Sequence, residues 1–232
     1  MKETLGKTIF VEFYGLPGSG KSTVSHQLAK RLRDNGFKVA EPSYEIDHKM
    51  SFLRKIRKFI LGIYYYIYYR SLYNAVKEIV KNNGYKGTGA FTQTVNIMQK
   101  VATYRKCETT QFVIWDQGIV QAAISLSLIG KGKAGCNLRK LLVLLPPLVK
   151  THNVLIDIDE ILALQRMSMR SSNDSRIEKT KDEEQEKLLI HRFQEGVASI
   201  KKSCFGESVD GTLDIEKEVE QLYLNVIKHY SV

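Results

Sequence analysis

A glycine-rich loop near the N-terminus constrains this chain more than any other feature. Residues Gly15 to Thr23 fit the pattern Gly-x-x-x-x-Gly-Lys-Ser. Glycines let the backbone turn tightly, so that successive amide N–H groups converge on phosphate oxygens at the start of a helix. The residues expected to hold the phosphates of a nucleoside triphosphate are Gly15, Gly18, Ser19, Gly20, Lys21, Ser22 and Thr23.

Two residues of this loop have individual roles in that interpretation. Lys21 is expected to reach the β- and γ-phosphates, and the Ser22 hydroxyl to ligate Mg²⁺. The alternative is an ordinary strand-to-helix turn that happens to carry a lysine. The loop lies between a strand-like run, Thr8 to Phe13, and a helical pattern, Val24 to Asn35, which favours phosphate binding.

Strand-like runs alternate with helical patterns along the rest of the chain. Further strands are predicted at Phe37 to Ala40, Gln111 to Trp115, Asn153 to Ile158 and Glu207 to Val209. This alternation predicts an α/β fold of the P-loop type, a three-layer sandwich whose parallel sheet of about five strands is flanked by helices. Because no linker interrupts the 232 residues, we expect one domain over residues 1–232.

Acidic residues follow the predicted strands, at the sheet edge where ligands of such folds bind. Asp116 comes directly after Phe112 to Trp115. P-loop proteins place a carboxylate there that orients Mg²⁺ or its water. The alternative for Asp116 is a cap for the next helix. Glu41-Pro42 follows the second strand in the same way.

Two arginines follow the fourth strand. Arg166 and Arg170 are four residues apart, so a helix presents both guanidinium groups on one face. Arginines in this place can neutralise the charge that builds on a transferring phosphoryl group. The alternative is a solvated basic helix end followed by a polar loop.

Together these motifs resemble the thymidylate kinase family of nucleoside and nucleotide kinases. The resemblance also includes the run Asp-x-Asp…Arg-x-x-x-Arg…Arg-x-Glu over residues 157–178. It implies a helical lid, about residues 166–180, that closes over ATP and brings Arg166, Arg170 and Arg176 to the phosphates. It also implies that Val209 to Thr212 lies beside the ATP base, and that residues 44–108 form a helical region on the acceptor side.

The chain departs from this family on the acceptor side. Pro17, Ala40 and Gln117 stand where thymidylate kinases usually carry an acidic residue and two arginines. A monophosphate would lose charged contacts there, which favours a hydroxyl group as the acceptor. Deoxynucleoside kinases share the Glu-Pro, and by that resemblance Glu41 is the candidate base. A solvated loop carboxylate is the alternative for Glu41.

The resemblance therefore implies an ATP-dependent kinase that uses Mg²⁺ and transfers the γ-phosphoryl group of ATP to a nucleotide or nucleoside. Two alternatives stay open. One is a small-molecule or sugar kinase with a changed acceptor pocket. The other is a nucleotide-binding switch or scaffold without catalysis, against which the lid arginines argue.

A basic and aromatic segment, Phe52 to Tyr73, has three interpretations. We favour a helix lining the acceptor pocket; a homodimer face comes second, and peripheral contact with an anionic membrane third. The uncharged stretch from Phe59 to Tyr69 is only 11 residues. Spanning a bilayer takes about 20.

Charge and cysteine content bound the partners and the compartment. The net charge of +10 suits a polyanionic small molecule, a membrane or nucleic acid. We expect no nucleic acid partner, because the motifs point to a small-molecule acceptor. The cysteines Cys107, Cys136 and Cys204 are widely spaced and no secretion signal precedes the first strand, so we expect a cytoplasmic protein.

Overall fold

The computed structural model describes residues 8–42, 51–106, 110–129, 132–145, 150–169, 183–202 and 206–230. The strands are β1 (Ile9–Tyr14), β2 (Val39–Ala40), β3 (Phe112–Trp115), β4 (Lys150–Asp157) and β5 (Gly206–Asp210). The helices of this part of the chain are α1 (Lys21–Asp34), α2 (Ser51–Tyr68), α3 (Arg70–Asn82), α4 (Gly87–Lys106), α5 (Ile119–Ser127), α6 (Ala134–Leu142), α7 (Glu160–Ser168), α8 (Glu183–Lys201) and α9 (Ile215–Tyr230).

The strands form one parallel sheet in the order β2-β3-β1-β4-β5. In the register of the sheet, Val11 on β1 lies beside Ile114 on one side and His152 on the other. The prediction of an α/β fold with about five parallel strands is confirmed. Because β1 lies between β3 and β4, the carboxyl ends of these three strands meet at one edge of the sheet.

Helices cover both faces of the sheet, and β1 shows why. All six residues of β1 are buried. Ile9, Val11 and Phe13 pack in one cluster with α1 and α9, whereas Phe10 and Tyr14 belong to a second cluster with α4 and α5. Since successive side chains of a strand point to opposite faces, both faces of this central strand lie in apolar core.

The element boundaries differ from the sequence prediction in ways that pairing explains. The outermost strand on one side of the sheet, β2, is only two residues long and pairs with β3 alone. The inner strand β4 begins earlier than predicted, at Lys150, and pairs with both β1 and β5. Between β2 and β3, the helices α2, α3 and α4 occupy residues 51–106.

Candidate active site

The glycine loop joins β1 to α1 and packs closely against neighbouring backbone. Gly15 and Gly18 have φ angles of +150° and +84°. A Cβ atom on Gly15 would lie 2.5 Å from the carbonyl oxygen of Ile156 on β4, and one on Gly18 would lie 2.5 Å from that of Ala163 on α7. Glycine at these positions is what lets the loop lie between the sheet and α7.

Lys21 begins α1 and folds back over the loop. Its Nζ donates hydrogen bonds to the carbonyl oxygens of Gly15 and Leu16, at 2.9 and 2.6 Å, and lies 3.3 Å from the Ser19 hydroxyl. The side chain is buried. The ammonium group is therefore already inside the loop, where a phosphate oxygen would be a stronger partner than these neutral carbonyls.

Ser22 and Asp116 lie far apart in sequence and meet in space. The Ser22 hydroxyl donates to Asp116 Oδ2 at 3.0 Å. The other carboxylate oxygen, Oδ1, is buried and has no hydrogen-bond partner. A hydroxyl and a carboxylate are oxygen ligands of the type that Mg²⁺ prefers, and the unpartnered Oδ1 has capacity for such a ligand or its water, so these residues fit the ion.

Asp116 does not cap the next helix. Gly118 is the residue immediately before α5, and no side chain caps the helix from this position. Instead, the carboxylate of Glu12 on β1 accepts a hydrogen bond from the Val120 amide at 3.0 Å. Glu12 therefore stabilises the helix that follows Asp116, from the neighbouring strand.

The buried carboxylate of Glu12 is a feature of this region that the sequence did not predict. Burial raises the pKa of Glu12 to about 7, although the Val120 amide and the Lys100 ammonium oppose the shift. A Cβ atom on Gly118 would lie 2.1 Å from Glu12 Oε2, so the turn after Asp116 presses directly on this carboxylate. The available signal was a glutamate in the middle of an otherwise apolar strand.

Two further side chains hold the same region together. Gln121 on α5 accepts a hydrogen bond from the Gly15 amide at 3.2 Å, which ties α5 to the glycine loop. Lys100 on α4 donates to the carbonyl oxygen of Gln117, and its ammonium lies 4.9 Å from the centre of the Trp115 ring. Nothing in the spacing of the sequence indicated either contact.

Glu41 is buried at the end of β2 and is held by α1. Its two carboxylate oxygens are bound separately: His26 Nδ1 lies 2.9 Å from Oε2, and Arg33 Nη1 lies 2.5 Å from Oε1. The side chain is thus not a solvated loop carboxylate. Its role as a base stays a prediction, which requires one of these oxygens to be released to the acceptor.

Arg166 lies in the last turn of α7, and its guanidinium donates to the Gly211 carbonyl at 3.0 Å. A Cβ atom on Gly211 would lie 3.1 Å from the carbonyl oxygen of Ser19, so the turn after β5 touches the glycine loop. In this turn, the hydroxyl and amide of Thr212 both donate to Asp210 and hold the pKa of that carboxyl below its usual range. Arg166, the loop and this turn are therefore neighbours.

The other lid arginines lie outside the described residues. This applies to Arg170, to Arg176 and to the rest of 170–182. Within the described ranges, no group of three or more His, Cys, Asp or Glu side chains could hold a metal ion. In the same ranges, none of the helices is long and apolar enough to cross a membrane.

The chain matches no family model, and no curated protein matches its sequence. Solved structures do match. A deoxyadenosine kinase from M. mycoides with bound dATP gives a TM-score of 0.55 at 16% identity, covering 94% of this chain and 98% of the kinase. A second structure of that enzyme, with products dCMP and a flexible dCDP bound, gives 0.54 at 14% identity, covering 94% and 99%.

The chain has the fold of this P-loop kinase. A third structure, with bound dCTP, agrees with a TM-score of 0.51 and 14% identity over 94% of this chain and 99% of the kinase. At these identities the likeness is one of fold. The resemblance to the thymidylate kinase family is borne out only as far as this shared P-loop kinase fold.

Proposed function

We propose that this protein is an ATP-dependent nucleoside kinase that transfers the γ-phosphoryl group of ATP to a hydroxyl of a nucleoside. One observation carries the proposal: the Ser22 hydroxyl lies 3.0 Å from the Asp116 carboxylate, and the adjacent residue Lys21 has its ammonium buried within the glycine loop. This combination of a hydroxyl, a carboxylate and a cation is what phosphoryl transfer from a nucleoside triphosphate requires.

Each residue of the loop has a defined task in this proposal. The backbone amides around Gly18 and Gly20 hold the phosphate oxygens, and Lys21 turns from the loop carbonyls to the β- and γ-phosphates. Ser22 and Asp116 would hold Mg²⁺, which, when bound, neutralises charge on the phosphate oxygens.

The arginines of the lid act on the charge that develops during transfer. Arg166 already lies beside the glycine loop through its contact with Gly211. We extend the role to Arg170, four residues further along the sequence, and to Arg176. Fixed cations at this position stabilise a transferring phosphoryl group more than the bound triphosphate, which is the condition for raising kcat.

We infer a hydroxyl acceptor from two positions at which thymidylate kinases carry arginines that hold an acceptor phosphate. Ala40 and Gln117 replace two arginines, and the nearby cation Arg33 is bound to Glu41. Glu41, released from one of its partners, would accept the proton of the attacking hydroxyl. The likeness in fold to a deoxyadenosine kinase supports a nucleoside as the molecule that carries it.

A nucleoside monophosphate is the second candidate acceptor, and Lys100 is the observation that favours it. Its ammonium lies against the Gln117 carbonyl, at the turn where thymidylate kinases carry an arginine. If Lys100 turned outward, it could contact an acceptor phosphate. A nucleotide acceptor is also consistent with the resemblance of the lid and strand motifs to the thymidylate kinase family.

A screen of ATP consumption distinguishes the candidates. Purified protein is supplied with Mg·ATP and, in separate reactions, with deoxynucleosides, ribonucleosides, nucleoside monophosphates and sugars. We expect stimulation by one class of nucleoside. Stimulation by monophosphates alone would contradict the hydroxyl acceptor, and stimulation by sugars alone would contradict the nucleoside. Tight ATP binding without stimulation would indicate a switch or scaffold.

A further inference from the structure

Exposed apolar side chains are concentrated on α2. Of the 16 large hydrophobic residues that are exposed in the described parts of the chain, seven lie on this helix. Ile56, Ile60, Ile63 and Ile67 follow one another at helical spacing and form a stripe along it, which we call the α2 stripe. Their exposed fractions are 43, 59, 46 and 62%.

The opposite side of α2 packs against the protein. Tyr65 is buried in the core, and a Cβ atom on Gly62 would lie 2.5 Å from the Phe91 ring of α4. The orientation of the helix is therefore fixed by close contacts, and the α2 stripe faces outward as a consequence. A contiguous apolar stripe that a folded protein leaves exposed indicates an interaction surface.

The sequence on both sides of this stripe carries positive charges and no negative ones. No aspartate or glutamate occurs between Asp47 and Glu78. The same interval contains the basic residues Lys49, Arg54, Lys55, Arg57, Lys58, Arg70 and Lys77. A surface that complements this segment must be apolar and negatively charged at once.

A cavity of about 540 Å³ lies between α3 and α4, next to α2, and is lined by positive charge. Phe91 lines the cavity and also touches α2, and Tyr73 of its wall contacts the Tyr66 ring on α2 with 5.7 Å between centroids. No acidic residue lines this cavity, whereas three lysines do: Lys77, Lys81 and Lys86. The positive charge of the cavity therefore adjoins α2, the helix whose outer side carries the α2 stripe.

We propose that α2 docks this protein onto an anionic lipid membrane. The helix lies in the plane of the interface, with the α2 stripe among the acyl chains and the described basic residues Lys58 and Arg70 near the lipid phosphates. The lysines of the cavity contact head groups beside the helix. In this arrangement the apolar side chains leave water and the basic side chains meet negative charge.

A second copy of the chain fits this surface less well. A symmetric dimer brings the same patch of both copies together. Here it would place two segments that carry basic residues and no acidic ones against each other, and like charges in an interface are costly. An anionic lipid surface has the opposite charge, so the burial of apolar side chains and the charge attraction both favour docking on lipid.

Vesicle flotation tests the proposal. The protein is mixed with vesicles of phosphatidylcholine alone or of phosphatidylcholine with phosphatidylglycerol, at low and at high salt. We expect flotation only with the anionic vesicles, and a loss of it at high salt because screening removes the charge attraction. Absence of flotation with anionic vesicles at low salt would overturn the proposal, as would equal flotation with both kinds.

Variants distinguish the contribution of the α2 stripe to membrane binding from that of the protein's overall positive charge. The double variant Ile60→Asp, Ile63→Asp should reduce the bound fraction by about tenfold or more, because two apolar side chains lose their burial in lipid. Leu224→Asp is the control, since Leu224 is as exposed as Ile60, at 58 against 59%, but lies on α9. It should float like the wild type. All variants should melt at the wild-type temperature, since the changed side chains are exposed.

Light scattering of the same samples without vesicles tests the competing partner. We expect the wild type and the double variant to have the same mass. A wild-type dimer that the double variant converts to a monomer would show that the α2 stripe binds a second copy, and would overturn the membrane proposal. Because none of these measurements involves ATP, they stand or fall independently of the kinase activity.

Discussion

Glu12 places a titratable carboxyl group inside the sheet. It is fully buried, one of its oxygens binds the start of α5, and the other has no hydrogen-bond partner. Burial penalises the charged form, so the folded protein holds its pKa at about 7 against 4.5 in an unfolded chain. This residue couples the packing of the site to pH.

Glu12→Gln should make stability less dependent on pH. Below pH 4.5 the wild-type carboxyl is neutral in both states and carries no penalty. As the pH rises towards 7 the unfolded chain ionises first, so folding loses up to about 3 kcal/mol. The amide does not titrate. Denaturant melts at several pH values should therefore show the variant gaining stability over the wild type between these limits; parallel curves would contradict the assignment.

Ser22 and Asp116 should act as one unit. We expect Ser22→Ala and Asp116→Asn each to raise the Mg²⁺ concentration needed for half-maximal activity by about 10- to 100-fold. The double variant should cost less than the sum of the two in free energy, since both side chains serve one ion. Additive effects in this cycle would show that the two residues do not share a metal.

Glu41→Gln separates a catalytic from a structural role. A base predicts a fall in kcat of about 10²- to 10⁴-fold with ATP binding and melting temperature unchanged. A structural carboxylate predicts the reverse: a lower melting temperature, with transfer retained. Arg33→Gln is the matched control, because it removes the 2.5 Å ion pair and leaves the carboxylate in place. It should keep its activity.

At the scale of elements, the site depends on how closely α7 approaches the glycine loop. Gly18 has no room for a side chain, since a Cβ atom would meet the Ala163 carbonyl and the Met167 side chain. Gly211 is enclosed in the same way by Ile158 and Ile156. These contacts fix the helix that carries Arg166 against the glycine loop.

Gly18→Ala tests this packing against Gly36→Ala. Both glycines have φ near +85°, at +84° and +85°, so both variants should lose about 1 to 2 kcal/mol of stability for backbone strain. A Cβ atom on Gly36 meets nothing within 4 Å. Only Gly18→Ala should therefore weaken ATP binding, by about tenfold or more, as calorimetry would measure. Equal ATP affinity in the two variants would contradict the role of this contact.

For the whole molecule, the fold was predictable because its signals are local. Apolar runs, the glycine loop and helix periodicity mark the strands and α1, and the parallel order follows from their alternation. The meeting of Ser22 with Asp116 followed as well, since strand ends converge at one edge of a parallel sheet.

The contacts that sequence reasoning missed join residues from different layers. Glu12 reaches α5 from a strand, Lys100 reaches Gln117 from α4, and Gln121 reaches back to Gly15. No spacing rule relates such positions, because they depend on how the helices lie on the sheet. The exposed face of α2 is of the same kind, since the sequence left open which side of that helix is buried.

Transfer of the terminal phosphoryl group of γ-labelled ATP tests the central claim most directly. The label is followed in the presence of the nucleoside that most stimulates ATP consumption, for the wild type and for Lys21→Ala. We predict label in the nucleoside monophosphate with the wild type and none with the variant, whose melting temperature should show that it is folded. Label released only as inorganic phosphate, or transfer unaffected by Lys21→Ala, would contradict the account.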